Sequence, residues 1–278
     1  MPPEGSRCSI DLRGRVACVT GGTGALGLVI AQALAEAGAQ VAVLGRDTER
    51  LARAEASLRA RQPAALAVAA DVCDPTTLSR AHERIRQALG PVTILVNAAG
   101  GNRQQATTGP DRTFFSLDPG ALEEVIRLNL LGTIWACQAF GRDMVEVGHG
   151  SIVNIASVAA LRPLSRVVGY GAAKAGIVNF TQWLAVHLAR EYSPAIRVNA
   201  IVPGFFLTEQ NRFLLLDEQA PDGLSERGRA VLARTPLGRF GHPEDLCGLV
   251  LWLVGDSAQF TTGAVIPVDG GFLSEGGV

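Results

Sequence analysis

The sequence predicts an α/β protein, a doubly wound parallel sheet of about seven strands with helices on both faces. Three observations lead there. Short β-branched runs alternate with helical patterns of roughly 12 to 25 residues. The first run breaks at once into a glycine turn and a helix. No linker interrupts the alternation, so residues 12–278 read as a single domain behind a flexible leader, residues 1–11, which has neither the charged start nor the apolar core of a signal peptide. In sheets of this kind ligands bind outside the carboxyl ends of the strands.

Residues 15–20 form the first strand, 21–24 the turn, and 25–37 a helix closed by Gly38. Residues 40–44 are the second strand. Asp47 then caps a helix whose Glu49, Arg50, Arg53, Glu55 and Arg59 read as a solvated face. Residues 64–70, 75–89 and 92–96 repeat the unit as strand, helix and strand, with Pro75 in the first turn of the helix. The polar stretch 102–109 is too long for a simple strand-to-helix turn and is a candidate substrate loop. One long helix is expected over 122–147, and a buried strand over 151–155 delivers Ala156 and Ser157. A helix over 169–190 precedes the sixth strand, 196–201, which Pro203 and Gly204 break. An insertion at 205–234, partly helical, would carry a second substrate loop; Pro243 starts a helix to 253, and 264–268 is the last strand.

Composition excludes several functions. The net charge is -1 with no basic cluster, which argues against nucleic acid as a partner. The longest apolar run, 246–254, is well short of the ~20 residues that span a bilayer, so no membrane segment is expected. Cys8, Cys18, Cys73, Cys137 and Cys247 are odd in number and lack paired spacing, which fits reduced thiols in a cytoplasm. His82, His149, His187 and His242 are scattered, and no metal is expected; Trp183 and His187, one turn apart, read as packing.

Gly21, Gly22, Thr23, Gly24, Ala25, Leu26 and Gly27 can be read in two frames. Gly22, Gly24 and Gly27 satisfy G-x-G-x-x-G; alternatively Thr20-Gly21 opens T-G-x-x-x-G-x-G with Ala25 at the middle glycine. Either brings backbone and a helix amino end to a pyrophosphate, the Rossmann-like arrangement. The end of the second strand carries Gly45 and Arg46, not a carboxylate; a guanidinium there can pair with a 2′-phosphate or equally stack on adenine, and NADP is favoured over NAD. Asp71 could accept from an adenine amino group or cap the next helix. Lys174 is the only lysine of the chain, and it follows Tyr170 by one helical turn. An ammonium about 4 Å from a phenol at an effective dielectric of ~20 favours the phenolate by roughly 4 kcal/mol, about three pH units. Such a tyrosine can exchange a proton near neutrality.

Thr20 to Gly27, Asp71-Val72, Asn97-Ala98-Ala99-Gly100, Asn129, Ser157, Tyr170-x-x-x-Lys174 and Pro203-Gly204 with Thr208 together resemble the short-chain dehydrogenase/reductase family in its single-domain form. Ala25 and Ala98 depart from its usual glycine and asparagine, both for small residues in tight turns. The resemblance implies an NAD(P)-dependent enzyme. Tyr170 would exchange a proton with the substrate oxygen and Ser157 would hydrogen-bond that oxygen. Lys174 would hold the nicotinamide ribose and lower the tyrosine pKa, Asn129 would anchor a water relay to the lysine, and Thr208 would hold the carboxamide. Gly21, Thr23, Gly24, Leu26, Gly27, Arg46, Asp71, Val72, Asn97, Ala98, Gly100, Tyr170, Lys174, Pro203, Gly204 and Thr208 would line the cofactor site.

Within that family, residues 97–102, Arg162-Pro163-Leu164, 180–184 and 203–213 resemble its D-mannonate oxidoreductases, also called fructuronate reductases. This implies a sugar-acid substrate. Asn102, Glu209, Gln210 and Asn211 would meet its hydroxyls, and Arg162 or Arg212 would fork onto its carboxylate. Another polyol or 3-ketoacyl reductase, and a dinucleotide-binding redox sensor without turnover, remain as alternatives. The apolar breadth of the two long helices suggests a homo-oligomer, and members of the family similar to this protein are commonly tetramers; a tetramer or dimer is expected.

Overall fold

The computed structural model describes residues 10–208 and 212–276. The predicted leader therefore lies mostly outside the described residues. Seven parallel strands form one sheet: β1 (Val16–Thr20), β2 (Gln40–Gly45), β3 (Leu66–Ala69), β4 (Ile94–Asn97), β5 (Gly150–Ile155), β6 (Ile196–Pro203) and β7 (Val265–Val268), in the order β3-β2-β1-β4-β5-β6-β7. The order reverses between β1 and β4, and at such a switch point the flanking connections diverge and open a crevice.

Alternation within the strands divides the core into two layers. Ala17, Val19, Val41, Val43, Ile94 and Val96 face one side, where they meet Ile30 and Leu34 of α1 (Ala25–Glu36), Leu58 of α2 (Thr48–Arg59) and Val250 and Leu253 of a later helix. Cys18, Ala42, Leu44, Leu95 and Ile152 face the other, against Leu78 and Ile85 of α3 (Pro75–Leu89) and further helices bearing Phe140, Met144, Leu184 and Leu188. Asp47 caps α2 as expected, accepting from the amides of Glu49 and Arg50. The cap of α3 is Asp74, not Asp71.

The long helix expected over 122–147 is divided. It consists of α4 (Pro119–Ile126), a widened π turn (Arg127–Leu131) and α5 (Gly132–Val147). The Asn129 side-chain amide donates to the Val125 carbonyl at 2.8 Å, and the Thr133 hydroxyl donates to the Asn129 carbonyl at 2.8 Å. These bonds satisfy backbone groups that a regular helix would pair, and the inserted turn brings Asn129 round to the β4 loop. Strand β4 starts at Ile94 because the Val92 amide is taken by the buried Asp143 carboxylate at 2.8 Å. Strand β6 runs on to Pro203, beside the edge strand β7, where the missing N–H of proline is tolerated.

The remaining helices are α6 (Val168–Glu191), α7 (Arg212–Leu215), α8 (Glu226–Leu232) and α9 (Cys247–Val254). The insertion after β6 thus contains two short helices, packed together where Ser225 donates to the Leu214 carbonyl at 2.7 Å. Among the described residues no helix is long and apolar enough to cross a membrane.

Candidate active site

A cleft of about 780 Å3 opens over the carboxyl ends of the strands, with residues of the β1 turn, the β4 and β5 ends and the segment after β6 among its lining. Its floor begins at the turn after β1. Gly21 has φ 64°, and a Cβ there would lie 2.7 Å from the Ala99 backbone; a Cβ on Gly27 would lie 2.3 Å from the Gly21 carbonyl. Gly22 instead faces Val43 of β2 and does not line the cleft. Gly24, with φ -85°, is the N-cap of α1 and offers no side-chain cap. Of the two glycine frames, the structure therefore selects the one built on Gly21 and Gly27, with Ala25 exposed at the first helical position. The uncapped first-turn amides and the close backbone approach fit an anionic, phosphate-bearing group.

The flank of this floor contains Thr23, Leu26, Arg46, Arg50, Asp71, Val72, Ala98 and Gly100. Arg46 lies 3.8 Å from the Asp71 carboxylate, and both side chains remain open to solvent, which screens the pair. Asp71 also accepts from the Cys73 amide at 2.9 Å, a turn of its own and not a helix cap. Arg50 corrects the sequence reading: it is not confined to a solvated face but bends back to donate to the Thr23 carbonyl at 2.9 Å and lines the cleft. Its position one turn after Arg46 was the available signal. Asn97 departs from expectation. Its side chain is buried in the sheet, donating to Asn154 at 2.9 Å, and it does not reach the cleft; the backbone from Ala98 to Gly101 does.

At the centre, Ser157, Tyr170 and Lys174 meet at the end of β5. Ser157 is buried, its hydroxyl accepts from the Ala159 amide at 3.2 Å, and it lies close enough to Tyr170 to act on the phenol. Burial pushes the Tyr170 phenol above its ordinary pKa, and Ser157 opposes that shift. The Lys174 Nζ donates to the Ile155 carbonyl at 2.8 Å and lies 5.6 Å from the Tyr170 ring centroid. Burial lowers the lysine pKa to about 8.

Asn129 is fully buried and does not line the cleft. Its amide donates to the Gly101 and Val125 carbonyls at 2.7 and 2.8 Å, and its oxygen accepts from the Gly101 amide at 3.1 Å. Both donors are thereby occupied. A Cβ on Gly100 would come within 2.8 Å of the Asn129 oxygen and 3.2 Å of the Lys174 nitrogen, so glycine lets this loop pass between them.

The far wall carries Pro203, Gly204, Phe206, Leu207, Thr208 and Arg212. Glu209, Gln210 and Asn211 lie outside the described residues. Asn102 does not line the cleft; its amide donates to the Thr107 hydroxyl at 2.9 Å. Arg162 is also a correction. Its guanidinium donates to the carbonyls of Phe272, Leu273 and Glu275 at 3.1, 2.9 and 3.1 Å and lies over the Phe272 ring, so it clamps the C-terminal segment and has no fork left for a carboxylate. Among the described residues no cluster of three or more His, Cys, Asp or Glu could hold a metal.

Comparison with known proteins gives one consistent result. Residues 15–219 match the family model for the short chain dehydrogenase. An uncharacterized oxidoreductase, UxuB, of Bacillus subtilis is 41% identical over 277 residues, covering 96% of this chain and 98% of its own. A candidate D-mannonate oxidoreductase from Haemophilus influenza, solved with bound NAD, is 35% identical with a TM-score of 0.88, covering 99% of this chain and all of that one (100%). A gluconate 5-dehydrogenase from Burkholderia cenocepacia, solved with NADP and tartrate, is 31% identical with a TM-score of 0.84, covering 97% and 99%.

Proposed function

The chain belongs to the short-chain dehydrogenase family and is an oxidoreductase that uses a nicotinamide cofactor; from that premise we propose that it interconverts the alcohol and ketone of a sugar acid, with D-mannonate and D-fructuronate as the leading pair. The observation that carries the catalytic reading is the meeting of Ser157, Tyr170 and Lys174 at the end of β5, inside the cleft that starts at the glycine turn. The sugar-acid reading is supported by full-length similarity to the Haemophilus influenza protein and by Thr208 and Arg212, the polar residues of an otherwise apolar far wall.

Gly21, Thr23, Gly24, Leu26 and Gly27 would cradle the pyrophosphate, with Asp71, Val72, Ala98 and Gly100 on the adenosine side and Pro203, Gly204 and Thr208 beyond. The nicotinamide, when bound, supplies or accepts the hydride. Tyr170 moves the proton: in ketone reduction its hydroxyl, kept protonated by burial, donates to the substrate oxygen, and in oxidation its oxygen takes the proton back. Ser157 donates a hydrogen bond to the same oxygen as negative charge develops on it. Lys174, braced on Ile155, contributes a positive charge below the tyrosine ring. Asn129 acts as a positioning residue, holding Gly100 and Gly101 in place. Arg46 and Arg50 together would pair with a 2′-phosphate, which makes NADP the preferred cofactor.

The same reading has the protein assemble as a dimer or tetramer, since α6 exposes Val168, Trp183 and Val186 with Trp183 stacked on His187. Free Cys18, Cys73, Cys137 and Cys247 accord with a reducing, cytoplasmic setting. The substrate is tested by following reduced-cofactor absorbance against keto-sugar acids, neutral ketoses of the same length and 3-oxoacyl thioesters. Fastest turnover is expected with the keto-sugar acids. Equal rates with and without the carboxylate would refute the sugar-acid assignment.

A further inference from the structure

Strands β5 and β6 pair as far as Ile155 opposite Ile201, and the Ala156 amide then donates to the Ile201 carbonyl at 2.8 Å. Beyond that bond the chain leaving β5 brings Ser157 to the cleft, and the chain leaving β6 brings Gly204, Phe206, Leu207 and Thr208. The segment after β7, residues 269–275, touches both. Toward β6, the Gly204 amide donates to the Val268 carbonyl at 2.9 Å, a Cβ on Gly204 would lie 2.7 Å from the Asp269 Cα, and Phe272 meets Phe205 edge to face with ring centroids 5.1 Å apart. Toward β5, the contact is Arg162, whose guanidinium donates to the Phe272, Leu273 and Glu275 carbonyls and lies over the Phe272 ring.

This segment belongs to no helix or strand, so its backbone groups need partners other than a ladder. Asp269 serves the amides, accepting from Gly271 at 2.9 Å and from Leu273 at 2.8 Å. Arg162 serves the carbonyls, because a planar fork with donors on both terminal nitrogens can meet several oxygens at once. The arginine is itself fixed to the catalytic loop: its amide donates to the carbonyl of Val158, the residue after Ser157, at 2.9 Å. Phe272 is buried in one cluster with Ala156 and Val158 from the β5 end and with Val202 and Phe205 from the β6 end. Arg162, Phe205 and Phe272 do not line the cleft, so they act on the chemistry through Ser157 and the 204–208 backbone.

We propose that Arg162 is a positioning residue for hydride transfer: through the 269–275 segment it fixes the spacing between Ser157 and the 204–208 wall, where the nicotinamide and the substrate oxygen have to meet. The assignment rests on the catalytic reading of Ser157 and Tyr170 and on the nicotinamide lying beside Thr208, and it requires no particular substrate. The glycine turn at 21–27 lies outside this connection. Loss of Arg162 therefore leaves the adenosine half of the site in place and loosens the nicotinamide half. A displacement of about 1 Å at the reacting atoms is enough to slow the reaction about 100-fold.

Binding measurements separate the two halves. The gain in affinity that the nicotinamide brings is the Kd of 2′-phospho-ADP-ribose divided by that of NADPH, with ADP-ribose and NADH as the second pair. Arg162→Met keeps an apolar stem and removes the donors. It is expected to bind the ribose fragments as wild type does and to lose about fivefold or more of the gain, as for the loss of a net hydrogen bond, with Arg162→Lys restoring part of it. Phe272→Leu keeps the arginine, removes the ring contact with Phe205 and should move the gain the same way, so a folding defect in one variant leaves the other informative. Ile85→Val, on α3 and away from the cleft, loses core packing alone and should leave the gain unchanged. With D-fructuronate, kcat/KM is expected to fall about tenfold to 100-fold in Arg162→Met. A gain kept by both Arg162→Met and Phe272→Leu would overturn the positioning role while the catalytic reading, tested by Tyr170→Phe, stands. Equal loss of fragment and cofactor affinity would show a general loosening of the fold and overturn it as well, as would a wild type in which the nicotinamide adds no affinity. A wild type that does not turn over D-fructuronate, yet loses the gain in Arg162→Met, would remove the sugar-acid reading and retain the positioning role.

Discussion

The ammonium of Lys174 donates a 2.8 Å hydrogen bond to the carbonyl of Ile155, the last residue of β5. The bond holds the only lysine of the protein, nearly out of solvent, between the central sheet and the helix that carries Tyr170. Its pKa falls to about 8 because burial disfavours the charged form.

A sign follows for stability. Between the folded value and the unfolded value near 10.4 the unfolded chain binds more protons at this position, so stability rises with pH across that window, and the penalty of burying the ammonium is fully present below about pH 8. Lys174→Met removes the group. The difference in unfolding free energy between wild type and variant, from urea titrations at about pH 7.5 and about pH 9.5, is expected to shift toward wild type at the higher pH. A difference independent of pH would contradict the buried ammonium.

Tyr170→Phe keeps the ring packed against Ala106, Ala121 and Val125 while removing the hydroxyl that meets Ser157. Turnover is expected to fall by roughly 100-fold to 10,000-fold. Fluorescence titration should still detect bound reduced cofactor. Full activity would remove the tyrosine from the acid–base step.

The glycine frame is tested by two alanines. Gly27→Ala places a methyl 2.3 Å from the Gly21 carbonyl, whereas Gly24→Ala places it at 3.2 Å from the same atom. The first has to move backbone, at about 1–3 kcal/mol, and should weaken cofactor binding as the turn opens. Gly24→Ala should cost distinctly less in Tm. The reverse order would favour the frame centred on Gly22 and Gly24.

Arg46 and Arg50 line the same flank of the cleft, and their joint replacement by alanine removes two potential donors to a 2′-phosphate. NADP affinity is expected to drop roughly 10-fold to 100-fold relative to NAD. Binding constants for both cofactors, measured on wild type and variant at one ionic strength, provide the comparison.

Arg162→Ala leaves the carbonyls of Phe272, Leu273 and Glu275 without their donor. A loss of about 1–3 kcal/mol in stability is expected, read as a lower urea midpoint, together with faster proteolysis of the C-terminal segment. Preference for acid over neutral substrate should be retained. Loss of that preference with normal stability would return Arg162 to the substrate site.

Much of this molecule was legible in order along the chain. Strand, glycine turn and helix at 16–36, the alternation that follows, and Ser157, Tyr170 and Lys174 are local patterns, and local patterns set by a period of two or of 3.6 survive without knowledge of distant contacts. Asp47 as a cap is of the same kind, because its partners are its neighbours.

Tertiary structure decided the rest, and each case involves a partner remote in sequence. Arg162 reads as a free fork until the C-terminal segment returns across it, 110 residues later for the Phe272 carbonyl. Asn97 reads as a cofactor contact until β5 brings Asn154 alongside. The widened turn at Asn129 depends on the loop at Gly101, which only the β4–α4 connection brings within reach. The Lys174 side chain reads only as a neighbour of Tyr170 until the fold brings the Ile155 carbonyl of β5 to 2.8 Å from its ammonium, an acceptor that a cation removed from water requires. The sequence determined the kind of chemistry available to this protein. Folding determined which of its many arginines remain free to use it.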